Sequence, residues 1–264
     1  MILAIEIENS KINFGIFNSR GPLTLTFSVA TDINKTSDEY AILLDGILNY
    51  YNVDRTLIEG VSLCSVVPMI TNIIIELMHD LFENATIIQV QKGIKTGFSI
   101  KVDNPSELGA DLVANAAAAL AIQSNDNLSE KASIIIDVST ATTVFALNEK
   151  REFIGGSIFP GIDMSFKSLH GNTAQLPNVS VILPTKAIGK NSQDSIRSGV
   201  ILGTAMMIDG FIERFSKEMH VDNPNIFVTG EYAQKILELC SSSYRYIPSL
   251  TLYGLYSIYK NNNS

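Results

Sequence analysis

Hydrophobic and polar positions follow the same programme twice along this chain. Residues 2–7, 12–17 and 23–30 are short runs rich in β-branched and aromatic side chains, cut by polar turns, and predict three strands. The period then lengthens. Over residues 37–51, Tyr40, Leu43, Leu44, Ile47 and Leu48 fall on one side of a predicted helix. Residues 61–67 predict a buried strand, 69–82 a helix with Ile70, Ile73, Ile74, Leu77 and Leu81 inward, and 86–90 another strand. Residues 91–103, charged and glycine-bearing, predict a loop or hairpin. Asn104 as N-cap, Pro105 behind it and Glu107 three residues on predict a helix running to about Ile122.

Polar residues 124–131 read as a surface connection and place a boundary between domains 1–125 and 126–264. The second half restarts with strands over 133–138, 142–147 and 153–159. An irregular stretch follows, then a helix capped by Asn191 with Asp194 and reaching about Phe215. A strand over 225–228, helices over 232–240 and 250–259 and a frayed tail at Asn261, Asn262 and Asn263 complete the chain. At a constant offset of 131, Leu3 falls on Ile134, Ile5 on Ile136, Glu6 on Asp137, Asn9 on Thr140 and Phe14 on Phe145. A duplicated β-β-β-α-β-α unit explains this better than two unrelated hairpins. Facing each other, two such units would put two acidic strand ends and two polar turns around one cleft. Polar turns with free N–H groups cradle phosphates, and carboxylates beside them orient a cation or water.

Composition narrows the class. Of 264 residues, 46% are hydrophobic and 17% charged, which excludes a disordered chain. The net charge of −8 and the lack of a Lys/Arg cluster argue against nucleic acid as a partner. Cys64 and Cys240 lie far apart in apolar contexts, as buried reduced thiols of a cytoplasmic protein would. The N-terminus has no basic region followed by an apolar run. The stretch 108–122, interrupted by Asp111 and Asn115, falls short of the ~20 apolar residues of a span, so no membrane is expected. His79 and His220 read as surface residues.

A series of motifs then carries a resemblance: Cys64-Ser65-Val66-Val67-Pro68, Lys95-Thr96-Gly97, Asn104-Pro105 with Gly109-Ala110-Asp111, and Asp137-Val138-Ser139-Thr140-Ala141-Thr142-Thr143. It continues through Gly155-Gly156-Ser157-Ile158, Pro160-Gly161, Thr173-Ala174, Leu176-Pro177, Ile188-Gly189-Lys190-Asn191-Ser192 and Thr229-Gly230. In this order and over nearly the whole length, the chain resembles the type III pantothenate kinases, also named after the Bvg accessory factor. The resemblance implies an α/β fold of two duplicated ribonuclease-H-like domains, as in actin, Hsp70 and the sugar kinases, with a ligand cleft between them. It implies ATP-dependent phosphorylation of pantothenate, the first step of coenzyme A synthesis, by a cytoplasmic homodimer. Mg²⁺ and a monovalent cation, K⁺ or NH₄⁺, are the cofactors it implies.

Residue by residue, the resemblance implies Asp111 as the general base on the substrate hydroxyl. It implies Glu6, Ile7, Glu8, Asn9, Ser10, Lys11, Ile12, Asn13 and Thr140 about ATP, and Asp137 at the monovalent cation. Val102, Gly109, Ala110, Leu112 and Ser192 fall with Asp111 at pantothenate-binding positions. Gly155, Gly156, Pro160 and Gly161 shape backbone near the site, and His170 lies on the same side. From the residues alone, Glu107, Asp111 and Asn115 at i, i+4 and i+8 form a polar line on an Ala- and Leu-rich helix, either a solvated stripe or a catalytic one. Asp137, Ser139 and Thr140 are equally at home in an ordinary turn. Gly199 and Gly203, four apart, would allow close helix approach, as across a dimer.

The departures are specific. The family's first turn, Asp-x-Gly-Asn-Thr-Asn, is here Glu6-Ile7-Glu8-Asn9-Ser10-Lys11. Leu112 replaces an arginine, Val102 an aromatic, Ser139 a glycine and Glu231 the second glycine after Thr229. Glu8 adds bulk and charge where phosphates would lie, either obstructing them or recruiting Mg²⁺. Two rival expectations therefore stand beside the kinase: an impaired homologue that acts by binding or regulation, and a kinase for another small hydroxy acid.

Overall fold

In the computed structural model, which describes residues 1–18, 21–126 and 131–263, β1 (Ile2–Ile7), β2 (Lys11–Phe17) and β3 (Leu23–Ala30) form an antiparallel meander. β4 (Gly60–Ser65) adds parallel to β1 and β5 (Thr86–Gln89) parallel to β4, giving the order β3-β2-β1-β4-β5. Every residue of β1 is buried, so both faces of this sheet are covered. Leu3, Ile5 and Ile7 pack on one face with Tyr40, Leu44 and Leu48 of α1 (Ser37–Tyr50) and with Ile70 and Ile74 of α2 (Pro68–Leu81). Thr36 starts α1 with a full capping box to Glu39. Leu43, expected inward, is 37% exposed because the buried arc is the i, i+4, i+8 line of Tyr40, Leu44 and Leu48.

On the other face Ile2, Ala4 and Cys64 pack with Val113, Ala114 and Ala117 of α3 (Ala110–Asn125) and with Leu252, Leu255 and Ile258 of α8 (Leu250–Asn262). These elements form the first of two units: Met1–Phe98, Asn104–Ile122 and Leu250–Ser264. The final helix therefore belongs with the first half of the chain, whereas the sequence reading put it with the second. Nor is the tail frayed through Asn262. Its side chain accepts from Lys95 N (3.0 Å) and donates to Lys95 O (2.9 Å) and Ile258 O (2.8 Å).

The second unit comprises Ser99–Asp103 and Gln123–Ser249. Its sheet holds β6 (Ser99–Ile100), β7 (Ser133–Val138), β8 (Ala141–Leu147), β9 (Glu152–Pro160), β10 (Asn225–Thr229) and β11 (Arg245–Tyr246), in the order β11-β10-β7-β8-β9-β6. Read from β9, the order β9-β8-β7-β10-β11 reproduces that of the first unit. The duplication is real, but its register is not constant. Ile5 pairs with Phe14, whereas Ile136 pairs with Val144. The second turn is one residue shorter, so Phe14 corresponds to Val144 and not to Phe145. β2 and β8 then show the same burial order, residue for residue.

α4 (Ile162–Gly171) occupies part of the stretch expected to be irregular. α5 (Ser192–Arg197), a π-turn over Ser198–Leu202 and α6 (Gly203–Glu218) make one long helix, and α7 (Ala233–Leu237) is short. The run Ser192–Glu218 is long and apolar enough to cross a membrane by length and composition. Its Ile196, Val200, Ile201, Ala205, Ile208 and Ile212 are instead core residues of this unit. The connection read over 124–131 lies in part outside the described residues.

Among the described residues, Ser62 Oγ and Thr142 Oγ1 are buried without a protein hydrogen-bond partner. An unsatisfied buried hydroxyl costs about 1–3 kcal/mol. Thr142→Val is therefore expected to raise the melting temperature of unit 2, with a gain of about 1 kcal/mol; a lowered melting temperature would contradict this reading.

Candidate active site

The last polar position of β1 is Glu6, which pairs in register with Asn13 on β2 and Cys64 on β4. Residues paired in register share a sheet face, so all three look toward α3 and α8. Glu6 is buried, and its Oε2 accepts a 3.0 Å hydrogen bond from Asn13 Nδ2. The Cys64 thiol is pushed well up, first by burial and then by the charges of Glu6, Asp111 and Glu8. Three carboxylates therefore gather about one strand end. Cys64 itself stays a thiol and has no nucleophilic role.

The turn after β1 is closed by Glu8 N donating to Lys11 O (2.9 Å) and by Thr31 Oγ1 donating to Glu8 O (2.7 Å). Asn9 and Ser10 are exposed at its tip. Ile7 and Ile12 are core residues, so of the expected ATP contacts these two have only backbone to offer.

Asp111 owes its place to a break in the expected helix. Asn104 caps only a 3₁₀ turn, Pro105–Glu107, and Glu107 closes it by accepting from Asn104 Nδ2 at 2.6 Å. Leu108 is extended (ψ 122°), and α3 begins afresh at Ala110. Glu107 is thus exposed and off the helix, and the polar line through Glu107, Asp111 and Asn115 does not exist. Asp111 stands alone in the first turn of α3, folded back over Gly109, where a methyl group would overlap its Oδ1. Burial raises its pKa, and hydrogen bonds from the backbone N–H groups of Leu112 and Asp111 oppose the rise in part. A desolvated carboxylate with a raised pKa is matched to general-base work. Asn115, one turn on, is buried and accepts from Thr251 Oγ1 of α8 at 2.9 Å; it braces the helix.

In unit 2 Asp137 takes the place of Glu6, paired in register with Thr143 and Thr229. Its Oδ1 accepts from Ser139 Oγ, so the serine at the usual glycine position engages the carboxylate directly. Thr140 is exposed at the tip of the turn. Gly161 N donates to Thr140 O (3.1 Å), and a side chain at Gly161 would overlap the carbonyls of Ser139 and Thr140. Gly230, at φ +108°, presses likewise on Val138. Val102 lies beside Gly155, 3.9 Å from where a β-carbon would sit. Ser192 is exposed at the start of α5, after its cap Asn191, and lines a cavity of about 640 Å³ with Leu169, Leu176, Lys190 and Gly199. His170 is held by Leu176 O at 2.9 Å, and His79 and His220 are exposed.

Unit 1 therefore brings together Glu6, Glu8, Asn13 and Asp111, with Gly109, Ala110 and Leu112 beside the last. Unit 2 brings together Asp137, Ser139 and Thr140, and Ser192 is exposed at the start of α5. The sequence reading missed Asp163 and Tyr232, whose side chains hydrogen-bond beside this second turn. Each follows a motif glycine by two residues, Gly161 and Gly230, and that spacing was the available signal.

The residues fit a divalent ion in the manner of Mg²⁺. Among those described, no three acidic, histidine or cysteine side chains form a cage. Mg²⁺ commonly takes one or two carboxylates plus substrate phosphates and keeps its waters, and Glu6 and Glu8 supply such oxygens.

The family model described as "Type III pantothenate kinase" matches residues 2–214. The type III pantothenate kinase of Thermobifida fusca (strain YX) is 33% identical over 264 residues, 99% of this chain and 100% of its own length. That of Dehalococcoides mccartyi (strain CBDB1) is 36% identical over 261 residues, covering 99% and 96%. A Campylobacter jejuni structure described as a Baf family transcriptional activator superposes with a TM-score of 0.61 at 18% identity, covering 99% of this chain and 98% of that one. A Sinorhizobium meliloti structure described as a 2-dehydro-3-deoxygalactonokinase gives 0.55 at 11% identity, with 98% of each chain covered. The two structural likenesses show the fold, that of duplicated ribonuclease-H-like units. The sequence matches show that the chain belongs to the type III pantothenate kinase family.

Proposed function

We propose that this chain transfers the γ-phosphoryl group of ATP to the primary hydroxyl of pantothenate, yielding 4′-phosphopantothenate and ADP. The observation that carries this reading is the desolvated carboxylate of Asp111, standing free of any helix stripe at the start of α3. Asp111 accepts the hydroxyl proton as the oxygen attacks the γ-phosphorus, and the ADP oxygen leaves in line. Bound Mg²⁺ would neutralise charge on the phosphates, with Glu6 and Glu8 as its protein ligands. Asn13 keeps the Glu6 carboxylate in one orientation through their hydrogen bond. That bond fixes the extra methylene, a reach of about 1.5 Å, by which Glu6 exceeds the family's aspartate. The exposed turns about Asn9–Ser10 and Thr140 offer backbone N–H groups and hydroxyls to the phosphates. Asp137, oriented by Ser139, is the residue for a monovalent cation. A cytoplasmic homodimer is the proposed working form, with no nucleic-acid or membrane partner.

The test is ADP release from ATP, Mg²⁺ and K⁺ with pantothenate as acceptor, repeated with other hydroxy acids. Turnover with pantothenate is the expected result. Turnover only with another acid would move the substrate assignment, and none at all would make the chain a binding homologue. Leu112 gives a finer prediction, because it presents no charge to a carboxylate. Leu112→Arg is expected to tighten pantothenate binding by about 1.5–3 kcal/mol, some ten- to a hundredfold in Kd by calorimetry. An unchanged Kd would mean that the acid is anchored elsewhere.

A further inference from the structure

Three backbone segments of unit 2 meet at the turn after β7. Gly161, at the end of β9, donates to Thr140 O and has no room for a side chain against Ser139 and Thr140. Gly230, after β10, packs on Val138, and Tyr232 N donates to Val138 O at 3.1 Å. The turn is thereby held from both sides by loops that approach closely only because each is glycine at the contact. A side-chain bond joins those two loops: Tyr232 Oη donates to Asp163 Oδ2 at 2.7 Å, linking residues 69 apart in sequence. Burial, then the Asp163 carboxylate, raises the Tyr232 pKa, so the phenol remains the donor. Asp163 also lies in the first turn of α4, where its charge complements the helix end.

We infer that Tyr232 and Asp163 form a clasp that closes the ring of turn and glycine loops, and that it positions the Ser139–Thr140 turn for the ATP phosphates. The inference rests on the reading of Thr140 as a phosphate contact. Neither side chain is a catalytic residue. Each acts through the turn, and the bond's loss would let the two loops part and the turn's N–H groups spread. The bond is exposed at its Asp163 end, yet a hydroxyl donating to a carboxylate is among the stronger kinds, so its loss should be visible in nucleotide affinity.

The test compares Tyr232→Phe, Asp163→Ala, Asp163→Asn and the double variant Tyr232→Phe/Asp163→Ala in the full chain. Tyr232→Phe and Asp163→Ala are each expected to raise the KM for ATP about five- to tenfold. The KM for pantothenate and kcat should stay within twofold. The double variant should be no worse than either single one. Asp163→Asn keeps an acceptor oxygen and should restore most of the affinity, and calorimetry with ATP alone should show the same order. An unchanged ATP affinity in Tyr232→Phe, or equal losses in kcat and both KM values with a lowered melting temperature, would overturn the clasp. Thr140→Ala separates the two levels. If it weakens ATP binding while Tyr232→Phe does not, the clasp alone fails. If Thr140→Ala has no effect, the phosphate reading of the turn fails first, and the clasp with it.

Discussion

Asp111→Asn is expected to lower kcat by about 10²–10⁴-fold while leaving the fold intact. The asparagine keeps an oxygen to accept from the backbone N–H groups of the first turn, so the helix start should persist. What it loses is the capacity to take a proton. Stability should not fall, and the sign follows from linkage. Burial raises the Asp111 pKa in the folded chain, so the folded state binds its proton more tightly than the unfolded one. Stability attached to this group is therefore present below the unfolded carboxylate pKa, and is lost as pH rises through the folded one. At neutral pH the charged form is a burden, and the neutral amide removes it. The same shift moves the acid limb of the kcat/KM profile upward from where an unburied aspartate would put it, and Asp111→Asn should erase that limb. The measurements are steady-state kinetics across pH beside a thermal melt. A variant that turns over like the parent would remove Asp111 from the mechanism.

The second large effect is expected from a residue that touches no substrate. Gly254 of α8 lies against Ala114 of α3, and a β-carbon there would overlap the Ala114 carbonyl oxygen. Backbone offers no soft side chain to yield, so Gly254→Ala must push the helices apart. Overpacking of this kind costs about 1–3 kcal/mol. The Thr251–Asn115 bond beside it would be strained as well. A melting temperature lower by about 4–10 °C is expected. Because α3 carries Asp111 one turn before Asn115, kcat should fall more than the KM for ATP. An unchanged melting temperature would show that α8 can slide, and with it that α8 does not fix the base.

What the sequence by itself determined is whatever depends on local chemistry and short periods. The strands other than β6 and β11 follow from runs of β-branched and aromatic residues. The duplication follows from matching patterns 131 residues apart, and the family follows from motifs in order. Asp111 stood out because a carboxylate on an alanine-rich segment is costly without a use. Several features needed the tertiary structure, each because a distant contact overrode a local signal. Asn104, Pro105 and Glu107 read as the start of a long helix, yet they close a 3₁₀ turn, and the extended Leu108 separates it from α3. The one-residue difference between the two turns was invisible to a fixed offset, and only strand pairing assigned Val144 to Phe14. The C-terminal helix joined the first sheet because Gly254 and Thr251 match Ala114 and Asn115, about 140 residues earlier in sequence. The Tyr232–Asp163 bond spans 69 residues and has no periodicity to announce it. Period and propensity report a residue's neighbours along the chain, whereas these sites are made by its neighbours in space.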